Sequence, residues 1–83
     1  MTTYFETEQH INNLIYVLNQ LRTGANAKRF GHVMSTDDLI QYMGARDIVV
    51  RVVDLTHTDG DDDLITAMEQ HIATLKGEQH AEP

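Results

Sequence analysis

Apolar residues in the first quarter of the chain recur at three- and four-residue steps. Ile11, Leu14, Ile15, Leu18 and Leu21 form one stripe at helical spacing, and Tyr4 projects onto it. Thr3-Tyr4-Phe5-Glu6 has the S/T-x-x-E form of a capping box, in which Glu6 reaches back to the Thr3 amide. Arg22 supplies a basic last turn and Gly24 a stop signal. Together these predict a helix over residues 4–22. Phe5 and Tyr16 fall well away from its stripe, which makes them candidates for an aromatic contact surface.

After a connection at 25–28 the pattern changes. Residues 29–34 read as a short strand, weakened by Gly31. Ser35-Thr36-Asp37-Asp38 opens a short second helix with Ser35 or Thr36 as N-cap. Leu39, Ile40 and Met43 are assigned its inner face, Tyr42 projects elsewhere, and Gly44 ends it. Asp47 to Leu55 then reads as the clearest strand, because Ile48-Val49-Val50-Arg51-Val52-Val53 is almost wholly β-branched, which favours extended backbone. Read as a strand, it is apolar on both faces except for Arg51, as a covered central strand would be. Asp61, Asp62 and Asp63 then start a third helix with an inner stripe of Leu64, Ile65, Met68, Ile72 and Leu75. Lys76 and Gly77 close it, leaving 1–77 as a single domain and 78–83 as a loose tail.

The expected fold is therefore α+β: a long N-terminal helix, a short strand, a short helix, a central strand and a C-terminal helix. A right-handed crossover between parallel strands gives a minimal α/β alternative. Two strands underfill a sheet, so the free edge calls for a second copy or another protein, and a homodimer is expected. The surface of the first helix is the other candidate interface.

Charge narrows the partners. The chain has 83 residues and a formal charge of −7, of which residues 52–83 alone account for −7. Residues 20–51 carry +2 and residues 1–19 carry −2. Nucleic-acid binding would rest on Arg22, Lys28, Arg29 and Arg46, and the overall balance disfavours it. An acidic C-terminal half steers instead towards a basic protein surface. The N-terminus lacks the layout of a secretory signal, and no apolar run nears the ~20 residues of a membrane helix. A cytoplasmic protein is the expectation.

Candidate chemistry is sparse. No Cys is present and Ser35 is the only serine, which leaves little for nucleophilic catalysis. Five His residues form no H-E-x-x-H or H-x-x-x-H pair. Asp54, His57 and Asp59 crowd the turn after the β-branched run, with Arg51 nearby, and could hold a cation or small ligand. The order of acids there does not fit a calcium loop.

These features point to a small acidic, non-catalytic protein-binding module without a cofactor. It would act as a regulator or inhibitor, of the kind mobile elements encode, occupying a basic surface on its partner. Phe5, Tyr16 and Tyr42 would supply apolar contact, and Asp61, Asp62, Asp63 and Glu69 the charge. The alternative is a metal- or ligand-binding enzyme or sensor built on Asp54, His57, Asp59 and Arg51.

Overall fold

Helical spacing extends further along this chain than its local stop signals suggest. The computed structural model describes residues 4–80, with side chains for residues 8–77. The expected cap at Thr3 and Glu6 and the expected contact at Phe5 therefore lie outside the described side chains, as do residues 81–83 of the expected tail. Three helices follow one another: α1 (Tyr4–Arg29), α2 (Thr36–Val53) and α3 (Asp61–His80). Among the described residues there is no strand. The α+β expectation, its α/β alternative and the small sheet are thus corrected to a three-helix, all-α bundle.

α1 passes through Gly24, runs on to Arg29 and is closed off at Gly31. There the backbone turns left-handed, with φ 70°. The His32 amide donates to the Ala27 carbonyl at 2.8 Å and the Gly31 amide to that of Lys28 at 3.2 Å. This pair of bonds is a Schellman closure, and glycine meets its positive φ without a Cβ clash. Residues 29–34, expected as a strand, are the last residue of α1 and the loop that follows.

α2 starts as its sequence predicts, with the Ser35 hydroxyl accepting from the Asp38 amide at 3.1 Å. It then runs through Gly44 and the whole valine-rich segment. The helix ends where Asp54 adopts φ 58°, ψ 40° and its amide donates to Val50. Aspartate tolerates this left-handed conformation better than most residues.

Magnitudes show why the β-branched run is helical. Each such residue gives up at most about 0.7 kcal/mol of helix propensity relative to alanine. Full burial of one valine contributes about 1.5–3 kcal/mol. Tyr42, Ala45, Val49 and Val50 are all buried, and Val49 is 0% exposed. Their spacing continues one helical stripe across Gly44, with Val52 and Val53 packed beside it. A strand would put Arg51 on the same face as Val49. The helix separates them, leaving Arg51 in solvent with its guanidinium 3.2 Å from Asp47.

The inner face of α2 is also the reverse of the expected one. Tyr42 is inside, whereas Leu39, Ile40 and Met43 are 42%, 62% and 60% exposed. The stripes of α1 and α3 close the core, through Ile11, Leu14, Leu18 and Leu21 on one and Leu64, Met68 and Ile72 on the other. Arg22 pairs with Glu69 and Arg29 with Asp62, so α1 and α3 run antiparallel. α2 packs against both.

Candidate functional site

The carboxyl end of α1, the middle of α2 and the amino end of α3 meet at Asp61. Its carboxylate accepts from the Tyr42 hydroxyl at 2.7 Å and from Arg46 Nη1 at 2.5 Å, and it lies 3.4 Å from Lys28 Nζ. Lys28 Nζ also donates to the Tyr42 oxygen at 2.9 Å. The second guanidinium nitrogen of Arg46 donates to the His57 and Asp59 carbonyls, both at 2.6 Å. One arginine therefore ties the α2–α3 loop to both helices.

Environment sets the ionisation of these groups. Burial acts to raise the Asp61 carboxyl, but the bonds from Tyr42 and Arg46, with the charge of Lys28, outweigh it and hold it below the ordinary value. The Tyr42 hydrogen bond, helped by the Asp61 charge, raises the Lys28 ammonium above its ordinary value. Both charged forms are stabilised, so this cluster is an internal tie in which neither group is poised to exchange protons near neutrality.

Most of the charge singled out in the sequence is engaged in the same way. Asp62 faces Arg29 at 2.7 Å and Glu69 faces Arg22, while Asp63 is exposed. The four cations proposed for nucleic acid, Arg22, Lys28, Arg29 and Arg46, each face a carboxylate of α3. Tyr42, chosen for partner contact, is 5% exposed, and Tyr16 is 65% exposed on α1. The two tyrosines share no surface.

Of the four residues of the ligand-binding alternative, His57 and Arg51 meet at the Asp47 carboxylate, whereas Asp59 and Asp54 are turned elsewhere. His57 Nε2 lies 2.9 Å from Asp47 Oδ1, and Arg51 reaches the other oxygen of the same carboxylate. That hydrogen bond from His57 lowers the Asp47 carboxyl. Asp59 turns back to accept from the Thr56 amide at 2.8 Å and its hydroxyl at 3.0 Å, which lowers its carboxyl too. Asp54 is an exposed helix terminus. Among the described residues, no group of three or more His, Asp or Glu side chains is arranged to hold a metal ion. No described helix is long and apolar enough to cross a membrane.

What the sequence reading passed over is the outer side of α2. Seven large apolar side chains are exposed among the described residues: Tyr16, Phe30, Val33, Leu39, Ile40, Met43 and Ile48. Six of them fall between residues 30 and 48, whereas α3 has none. The available signal was the helical period itself. Once Tyr42, Ala45 and Val49 face inward, Ile40 and Ile48 must face outward. No family model, curated protein or solved structure matches this chain.

Proposed function

We propose that the protein is a non-catalytic protein-binding module that acts by covering a surface of another polypeptide. The observation that carries this reading is the concentration of exposed apolar side chains on α2 and the loop before it, including Ile40 at 62% and Met43 at 60% exposed. Aliphatic surface in contact with water is stabilised by burial against a partner. Asp37 and Asp38 lie exposed in the first turn of the same helix, so the complementary surface is aliphatic at its centre with basic groups beside it. The acids of α3 first assigned to this contact contribute less, because Asp61, Asp62 and Glu69 already face cations of their own chain.

A photoreactive amino acid placed at Met43 tests the reading, with the same group at exposed Thr66 on α3 as the control. Irradiation in extract of the native host should give a discrete polypeptide adduct from position 43 and none from position 66. Equal labelling from both positions, or none from either, would overturn it.

A further inference from the structure

On the outer side of α2, Asp37, Ile40, Gly44, Ile48 and Arg51 follow one another at steps of three, four, four and three residues. At about 100° per residue all five lie within about 40° of Gly44 around the helix, on the side away from Tyr42 and Val49. The order reads acid, isoleucine, glycine, isoleucine, base. Reversed end for end, it presents base, isoleucine, glycine, isoleucine, acid. Such a face is complementary to itself in antiparallel orientation.

We propose that the partner at this face is a second copy of the chain, with the two α2 helices packed antiparallel about a two-fold axis at Gly44. This deepens the protein-binding reading above and rests on it. Each Asp37 then meets the partner's Arg51, and each Ile40 meets the partner's Ile48. The two Gly44 residues face one another at the centre, and a two-fold contact of this kind is closed and isologous.

Each component is available for the contact. Ile40 and Ile48 are 62% and 44% exposed. A Cβ on Gly44 would meet nothing within 4 Å, so the backbone there is open to close approach by another helix. The Arg51 side chain is 77% exposed. It reaches Asp47 in its own helix, and a guanidinium has donors enough to serve a second carboxylate. Helix-dipole logic accounts for an acid early and a base late in α2. It gives no reason for two exposed isoleucines spaced symmetrically about a glycine.

Light scattering of the purified full-length chain tests the arrangement, over concentrations from micromolar to near-millimolar. The wild-type mass should rise from 9.4 kDa towards twice that value. Asp37→Lys and Arg51→Glu should each weaken self-association about tenfold or more, because each homodimer then carries two like-charge contacts. Mixed in equal amounts, the two variants should associate about as well as wild type, since both charge pairs are complementary in the heterodimer. Gly44→Glu, at a position where a Cβ meets nothing within 4 Å, should also block association while circular dichroism stays helical; it serves where a charge reversal impairs folding. A wild-type chain that is monomeric throughout would overturn the proposal, as would a mixture no better associated than its components, or a Gly44→Glu chain that still dimerises. A monomeric chain that still gives an adduct from position 43 in extract would remove the second copy and leave the protein-binding reading in place.

Discussion

Tyr42 packs directly onto the backbone of Gly24, so closely that a Cβ on Gly24 would lie 2.5 Å from the tyrosine Cγ and 2.7 Å from its Cβ. This glycine is present because α2 needs the space, and the helix continues past it for five residues. Gly24→Ala should therefore destabilise the fold by about 1–3 kcal/mol through overpacking, despite the gain of nearly 1 kcal/mol in helix propensity. Gly44→Ala meets no neighbour and should be neutral or stabilising by up to about 1 kcal/mol. Thermal melts should show a lowered transition for Gly24→Ala and an unchanged or raised one for Gly44→Ala, with both measured dilute enough that self-association does not contribute.

Arg46 is the tie whose loss should be felt most among the charged residues. Its side chain is 18% exposed and donates to Asp61 and to two loop carbonyls. Arg46→Leu leaves all three acceptors without this donor and should lower stability by about 2–4 kcal/mol in urea unfolding. Tyr42→Phe keeps the ring against Gly24 and removes only the hydroxyl, so its cost should be smaller, about 1–2 kcal/mol.

Acid should weaken the fold through Asp61, Asp47 and Asp59, whose carboxyls are all held below the ordinary value of 3.8. Above that value they are ionised in both folded and unfolded chains, and their stabilisation is fully present. As the pH falls below it the unfolded chain takes up protons first, and the stabilisation is lost as the folded carboxyls follow. The melting temperature should therefore drop between pH 5 and pH 3. Asp61→Asn should be less stable at pH 5 and show a shallower decline. A parallel decline in both proteins would show that Asp61 does not contribute.

The valine-rich segment offers a test of facing. Val49 is fully buried and Ile48 is 44% exposed, although they are adjacent. Val49→Ala should cost about 2 kcal/mol, from lost burial and the cavity left behind. Ile48→Ala should cost less than about 1 kcal/mol, because alanine favours the helix and little burial is lost. A covered strand would make the two substitutions comparably damaging.

The stripes of α1 and α3 were legible because five residues at helical spacing leave no strand interpretation. α2 was not, for two local reasons that pull in the same direction. Gly44 looks like a helix stop, and Ile48 to Val53 have the composition of a strand, so one helix reads as two elements. Neither cue reports on tertiary packing, which decides the matter by burying Val49 and Val50 at the cost of a few tenths of a kcal/mol per residue. Arg51 was the contrary sign, since a guanidinium on a covered valine face is costly and one on the outside of a helix is not. The same error concealed the surface. A helix that ends at Gly44 puts Ile40 and Met43 on its inner face and splits the symmetric pattern from Asp37 to Arg51 between a helix and a strand. The junction at Asp61 was beyond sequence reasoning, because its members come from three helices and meet only on folding.

Residues 47–53 in helical conformation both fill the core with Val49 and Val50 and turn Ile48 and Arg51 outward, so core and outer face stand or fall together. Backbone NMR assignment of the isolated chain measures that conformation directly. We expect helical Cα secondary shifts and strong sequential amide–amide NOEs, unbroken from Thr36 to Val53 and through Gly44. Extended-type shifts over 47–53, with cross-strand Hα contacts to residues 29–34, would contradict the account.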